Sequence, residues 1–223
     1  IIASINCVYS HEWISFTEQI QEAGADAIEL NMFFLPSDFS RSGQEQEAMY
    51  FKIIEKLVNT VSIPIALKIS YYFSSLGRMI QRLSKTGVSG LVLFNRFFSP
   101  DIDIENLTVK PSFVLSSPDE LAISLRWVAI MANKVDCDLA ASTGVHDGNA
   151  VIKQLLAGAA AVQVASCLYK HGTEYLKEMH DTLTAWMKTH HFNSLSDFRG
   201  KMSQDKASNP AAYERVQFMK YFS

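Results

Sequence analysis

Cysteine is scarce in this chain, with only Cys7, Cys137 and Cys167 among 223 residues. Three scattered thiols are too few for a disulfide framework, and their spacing matches no zinc-binding motif. Neither an HxH nor an HExxH pattern nor a cluster of carboxylates accompanies the six histidines. We therefore expect reduced thiols, no metal site and a cytoplasmic location.

The sequence also lacks an excess of charge and a long apolar run. Lys and Arg number 20 against 23 Asp and Glu, for a formal net charge of -3, so a basic nucleic-acid-binding surface is not expected. No apolar stretch approaches the roughly 18 residues that a membrane-spanning helix needs. With 48% hydrophobic and 19% charged residues, the composition is globular and excludes extensive disorder.

What the sequence does contain is a regular alternation of short apolar runs with longer amphipathic segments. Each run is too short for a helix, which is typical of a strand buried on both faces of a parallel sheet. The predicted strands cover residues 1–5, 27–30, 64–69, 90–94, 137–141 and 160–165. The predicted helices cover residues 10–23, 44–58, 75–86, 117–131, 147–156 and 171–188, with long loops at 32–42 and 96–116.

Strand-then-helix units repeated in this way require right-handed crossovers and one parallel sheet. Gly24, Gly87 and Gly158 each lie between the end of a predicted helix and the start of the next predicted strand. This recurrence is typical of (β/α)8 barrels of the triosephosphate isomerase (TIM) type and, less specifically, of any doubly wound sheet. We expect a single α/β domain over residues 1–223, with its chemistry at the carboxyl ends of the strands.

Polar residues follow several of the predicted strands. Asn6, Asn31 and Asn95 each come at a strand end, and Lys68 ends the strand between the latter two. An amide offers both a donor and an acceptor, so a ring of amides suits a planar small molecule that carries carbonyl and N–H groups. A lone Asn after a strand is more often a turn residue, but three at equivalent places beside a lysine predict a substrate site.

Small residues follow the last two strands. Ser142, Thr143 and Gly144 come after one strand, and Ala165 and Ser166 come after the next. Small side chains let backbone N–H groups approach an anion, and barrels of this type commonly bind phosphate after their last two strands. The two loops therefore predict a phosphate-binding cup, although tight turns alone would also explain them.

These blocks together resemble the dihydroorotate dehydrogenase family over nearly the whole chain. The blocks occur in the family's order, and the first two of them carry Asn31 and Lys68. They are Ala27-Ile28-Glu29-Leu30-Asn31 with Pro36, Pro64-Ile65-Ala66-Leu67-Lys68, Leu93-Phe94-Asn95, Ser142-Thr143-Gly144-Val145 and the stretch 164–172.

The resemblance implies a flavin mononucleotide (FMN)-binding (β/α)8 barrel. The family oxidises a CH–CH bond, converting dihydroorotate to orotate in pyrimidine biosynthesis. By motif position, Lys68 would contact the flavin ring near its N1–C2 carbonyl edge and stabilise the reduced form. Asn31 and Asn95 would hydrogen-bond the pyrimidine, and the two small-residue loops would hold the phosphate. Relatives of this type are often homodimers.

The chain departs from the family pattern after Asn31. The family continues with a small residue, then a Cys or Ser base, then a proline. Here Phe34 falls at the base position, with one extra residue before Pro36, and a phenylalanine cannot accept a proton. Ser37 follows Pro36 and is the remaining candidate, although a serine needs an activating partner. FMN binding is thus better supported than dihydroorotate oxidation, and the substrate is open.

Two other classes of function stay open at this point. In a phosphosugar isomerase or aldolase-type barrel, Lys68 would form a Schiff base with a carbonyl substrate. Alternatively, the chain would be a catalytically silent ligand-binding barrel.

A further expectation concerns the start of the sequence, which opens without Met inside a predicted strand. Six strand–helix units rather than eight suggest that strands three to eight of a barrel are present, with two units and further flavin contacts upstream.

Overall fold

A computed structural model describes residues 1–7 and 12–215. In this part of the chain there are eight strands: β1 (Ile2–Ile5), β2 (Ala27–Met32), β3 (Ile65–Ile69), β4 (Gly90–Leu93), β5 (Ser99–Asp103), β6 (Thr108–Ser112), β7 (Asp138–Ala141) and β8 (Ala161–Val162). Six of them pair in the order β1-β2-β3-β4-β7-β8, and every pair is parallel. The sheet curls into part of a TIM barrel, which confirms the predicted architecture.

Helices connect the parallel strands as the sequence predicts. They are α1 (Glu12–Glu22), α2 (Gly43–Val58), α3 (Leu76–Ser84), α4 (Leu121–Met131), α5 (Gly148–Ala157), α6 (Ser166–His171) and α7 (Tyr175–Thr189), with 3-10 turns at Pro118–Glu120, Leu195–Asp197 and Pro210–Tyr213. The predicted helix cap at Ser10 lies outside the described residues. Within the described ranges, no helix combines the length and apolar character needed to cross a bilayer.

The two faces of the sheet differ because side chains alternate along each strand. On the convex face, Ile28, Leu30 and Leu67 are fully buried against side chains of α1 to α4. On the concave face, small residues such as Ala66 and Gly90 occupy matched positions of the register. Large side chains on one face and small ones on the other leave the concave side of the sheet open at the strand ends.

Two elements were not predicted from the sequence. The segment 96–116, expected to be a loop, contains the antiparallel hairpin of β5 and β6, whose exposed strands carry a facing pair of prolines, Pro100 and Pro111. Such strands lack the apolar alternation that marks a core strand. The short helix α6 was not predicted either, and the last helix, which was predicted to begin at residue 171, begins at Tyr175 because residue 171 instead ends α6 before Gly172.

Candidate functional site

A hydrogen-bonded network lies on the concave face at the carboxyl ends of the strands. Asn31 Nδ2 donates to Ser4 Oγ at 2.6 Å, and that hydroxyl donates to Glu29 Oε1 at 3.0 Å. From the far side of the sheet, Gln163 Nε2 donates to Glu29 Oε2, and Gln163 Oε1 accepts from Lys68 Nζ at 2.7 Å. The carboxamide of Gln163 therefore bridges the carboxylate and the ammonium group.

Lys68 and Glu29 form a buried ion pair within this network. Their Nζ and Oε1 atoms are 3.8 Å apart, and their side chains are 18% and 6% exposed. Burial lowers the pKa of the Lys68 ammonium group below its ordinary value, and the nearby carboxylate partly opposes this shift. The lysine is thus a shielded positive charge at the strand ends, held in place by two partners.

A cavity of about 510 Å3 opens beside the network. Its volume falls within the range of roughly 300–1,000 Å3 that is usual for small-molecule and cofactor sites. The structure brings together at this cavity seven of the residues selected from the sequence, namely Lys68, Asn95, Ser142, Thr143, Gly144, Ala165 and Ser166. Strands far apart in the chain thus contribute to one site.

The loop after β7 is shaped by two residues with positive φ angles. Thr143 has φ 76°, and its hydroxyl donates to the Phe94 carbonyl at 3.1 Å. Gly144 has φ 77°, and a Cβ atom built there would lie 2.1 Å from the backbone nitrogen of Leu121 at the start of α4. A side chain at this position would therefore collide with backbone, and the close packing of this loop requires glycine.

The asparagines selected as substrate-binding residues and the serine selected as a candidate base lie in different surroundings. Asn95 Nδ2 donates to Asn31 Oδ1 at 3.4 Å, so these two amides are adjacent at the strand ends. Asn6 is exposed and does not line the 510 Å3 cavity. Ser37 is also exposed and away from this cavity, while the Phe34 ring packs edge-on against Tyr50 with centroids 5.2 Å apart.

A second cavity of about 260 Å3 adjoins the first and shares Asn95 and Thr143 with it. We call it the aromatic compartment because five rings line it: Tyr71, Tyr72, Phe94, Phe97 and Phe98. Most of these rings contact each other in edge-on or tilted pairs with centroids 4.8 to 5.7 Å apart. The compartment is suited to a flat, largely apolar ring.

Arg96 joins this region to the end of the β5–β6 hairpin. Its Nε atom donates to Glu120 Oε2 at 2.8 Å, and its other guanidinium nitrogens donate to the carbonyls of Phe113 and Val114. Each of the three guanidinium nitrogens thus donates one hydrogen bond. Arg96 therefore has a structural role at the cavity rim and is not available as a free cation.

A serine–histidine pair lies near the two small-residue loops. Ser116 Oγ and His146 Nε2 are 3.0 Å apart, and the Ser116 backbone N–H donates to Ser166 Oγ at 3.0 Å. Burial, followed by the charge of Lys170, lowers the pKa of His146. Among the described residues, no group of three or more His, Cys, Asp or Glu side chains is placed to hold a metal ion.

Ser4, Glu29 and Gln163 were missed by the sequence reasoning. Glu29 and Gln163 each interrupt a run of apolar residues in a predicted strand, and Ser4 does so in the first strand. In a strand, residues two apart share a face, so Glu29 necessarily lies on the same side as Asn31. A polar residue at this position of an apolar strand is the signal that would have identified all three.

Comparison with known proteins covers most of the chain. The family profile described as "Dihydroorotate dehydrogenase" matches residues 1–187. A putative dihydroorotate dehydrogenase A (fumarate) from Aeropyrum pernix is 28% identical over 211 residues, covering 90% of this chain and 66% of the relative. The catalytic subunit of dihydroorotate dehydrogenase B (NAD(+)) from Thermoplasma volcanium is 24% identical over 204 residues, covering 90% and 67%.

Two further similarities are more distant. The chloroplastic dihydropyrimidine dehydrogenase (NADP(+)) of Arabidopsis thaliana is 23% identical, with 92% of this chain and 52% of the relative covered. The crystal structure of an Eimeria tenella DHODH in complex with ferulenol superposes with a TM-score of 0.66 at 18% identity, covering 87% of this chain and 58% of that one. The chain thus spans about two thirds or less of the length of these relatives.

Proposed function

The chain belongs to the dihydroorotate dehydrogenase family, and from this premise we propose that it binds FMN in the 510 Å3 cavity and acts as an oxidoreductase on a flat cyclic substrate. One observation carries the proposal. The buried cation Lys68 and the two small-residue loops, represented by Gly144 and Ser166, line the same cavity. A cation beside a planar electron acceptor and small residues beside a phosphate are the two requirements of a flavin nucleotide site.

The residues present fit FMN in size and in chemistry. The Thr143–Gly144 turn leaves no room for a side chain on the glycine, and Ala165 and Ser166 continue the small-residue border of the cavity. We propose that these loops hold the phosphate and that Lys68 contacts the ring system. When bound, FMN would supply a two-electron acceptor, which none of the amino-acid side chains can provide.

The chain's own residues would then position the substrate and stabilise the reduced flavin. Lys68 offers a positive charge where negative charge develops on reduction, and its low exposure strengthens that interaction. The adjacent amides of Asn31 and Asn95 offer donors and acceptors for a substrate with ring carbonyl or N–H groups. A contribution from Asn6 stays a prediction.

The substrate is proposed to differ from dihydroorotate. Phe34 replaces the expected base and packs against Tyr50, and Ser37 is exposed and borders neither the cavity nor the aromatic compartment. Without a positioned base, a reaction that removes a proton loses roughly 10²–10⁴-fold in rate. We therefore propose slow or absent turnover of dihydroorotate, and a substrate ring that is apolar enough to enter the aromatic compartment.

The test is an FMN titration of the purified protein, followed by tryptophan quenching and by the visible spectrum. We expect a stable yellow complex, and at least tenfold weaker binding in Lys68→Ala, because the cationic contact to the ring is lost. Lys177→Ala is the matched control, since Lys177 is exposed on α7 and pairs with Asp181 within its own helix. Failure of the wild-type protein to bind FMN would refute the proposal.

The same samples separate the alternatives. Borohydride trapping of a carbonyl compound on Lys68 would support a Schiff-base enzyme. Burial lowers the pKa of the Lys68 ammonium group, whereas its hydrogen bond to Gln163 and the nearby Glu29 carboxylate stabilise the charged form. A ligand-induced thermal shift without any turnover would indicate a silent binding barrel. Steady-state assays with dihydroorotate and a dye acceptor distinguish a true dihydroorotate dehydrogenase from a relative with another substrate.

A further inference from the structure

The most unusual feature of the cavity is a carboxylate beside Lys68. Glu29 is only 5% exposed, yet it lies in the middle of an apolar strand with Ile28 and Leu30 as fully buried neighbours. Burying a carboxylate costs several kcal/mol unless it is paired and hydrogen-bonded. The stability of the sheet alone does not explain a carboxylate at this position.

The partners of Glu29 account for both of its oxygens. Oε1 accepts from Ser4 and faces Lys68 Nζ at 3.8 Å, while Oε2 accepts from the Gln163 amide. The third charged side chain lining the cavity, Arg96, is paired with Glu120 instead. Glu29 is therefore the only negative charge on the cavity wall that faces Lys68, among the residues that the structure describes.

Gln163 forms hydrogen bonds with both charged groups. Its carboxamide donates to the carboxylate through Nε2 and accepts from the ammonium group through Oε1 at 2.7 Å. Only a side chain with a donor and an acceptor on the same planar group can make both contacts. The bridge fixes Lys68 relative to Glu29 and leaves the lysine with few alternative positions.

We propose that Glu29 is a positioning residue that acts through Lys68: it holds the ammonium group at the cavity wall and offsets its charge, so that it limits how strongly the site favours the reduced, anionic flavin. The inference rests on the proposed FMN site. A fully uncompensated lysine would make bound flavin a stronger oxidant, whereas the Glu29–Lys68 pair keeps the potential lower.

The first test is the midpoint potential of bound FMN, measured by reductive titration against a reference dye. In Glu29→Gln, which keeps the shape and removes the charge, we expect the equilibrium constant for two-electron reduction to rise at least tenfold, or about 30 mV. In Glu29→Asp, which withdraws the carboxylate from Lys68, a smaller rise is expected. Glu178→Gln is the matched control, because it removes an exposed carboxylate on α7 that does not line the cavity, and it should leave the potential unchanged.

A double-mutant cycle shows whether Glu29 acts through Lys68. In a Lys68→Met background, Glu29→Gln should leave the potential unchanged. An equal shift in both backgrounds would overturn the inference, and so would an unchanged or lowered potential in both Glu29 variants. A merely structural role for Glu29 would lower thermal stability without this dependence on Lys68.

A second readout needs no flavin. The pKa of Lys68 in the FMN-free protein is measured by NMR titration of its 13Cε resonance. Because Glu29 opposes the lowering of this pKa by burial, Glu29→Gln should lower it further, and an unchanged value would contradict the coupling. If the wild-type protein binds no FMN but this pKa moves, the proposed function fails while the Glu29–Lys68 coupling stands.

Discussion

Replacement of Gly144 by alanine tests the packing of the proposed phosphate loop most directly. The added Cβ would lie 2.1 Å from Leu121 N and 2.7 Å from the carbonyl carbon of Glu120, both backbone atoms. Ordinary contacts begin at 3.4 Å, so the loop or the start of α4 has to move by roughly 1.3 Å. A left-handed backbone costs alanine about 1–2 kcal/mol, and overpacking adds about 1–3 kcal/mol.

Gly24 provides the matched control for this substitution. It has φ 89°, but a Cβ atom there would meet nothing within 4 Å. Gly24→Ala should therefore show the backbone cost of about 1–2 kcal/mol alone, whereas Gly144→Ala should lose about 2–5 kcal/mol. Urea denaturation of both variants measures the difference.

FMN titration of the same two variants separates the loop from global stability. Because Gly144 borders the cavity and Gly24 does not, we expect at least tenfold weaker FMN binding only for Gly144→Ala. Equal losses of stability in the two variants would refute the claim that the loop is packed too tightly for a side chain. Unchanged FMN binding in Gly144→Ala would refute its assignment to the phosphate site.

Three further outcomes are expected from other parts of the molecule. Ser42→Ala should cost about 1 kcal/mol in chemical denaturation, because Ser42 and Glu45 form a reciprocal capping box at the start of α2. Gln154→Met should change the free energy of unfolding by no more than about 1 kcal/mol, because it removes the buried Oε1 atom, which has no hydrogen-bond partner in the described part of the chain, but also removes the Nε2 donor to Ser124 Oγ, and the two effects oppose each other. Cys137 should react slowly with iodoacetamide at pH 8 and faster as the pH approaches 11, because burial and the two flanking aspartates raise its pKa to about 11.

The sequence was sufficient for the strands of the parallel sheet and for much of the cavity. Apolar runs bounded by helix caps are a local signal, and the fold's topology then carries Lys68 and Gly144 to the same edge without further information. The same logic placed Asn31 beside Asn95. It did not distinguish Asn6, which lies at a strand end but outside the cavity, because exposure depends on how the loops around it fold.

The sequence alone could not predict which side chains contact each other. Glu29 and Gln163 are recognisable singly as polar residues in apolar strands, but their contact with Lys68 depends on the curvature of the sheet. The hairpin of β5 and β6 was hidden for a different reason. Its strands face solvent and have no core to impose an alternating pattern, so its formation depends on backbone pairing and on exposed side-chain contacts such as the Lys110–Asp101 ion pair.

The Gln163 bridge also has a consequence for the order in which the protein folds. Gln163 contacts Glu29 across 134 positions of the chain and Lys68 across 95. Contacts of such separation form late, because the intervening chain has to be ordered first. During synthesis, the residues of β1 to β4 emerge well before Gln163. The Glu29–Lys68 pair therefore cannot be bridged until Gln163 has followed. A ligand site that includes Gln163 and Ser166 is therefore assembled only after the last strand of the parallel sheet has formed.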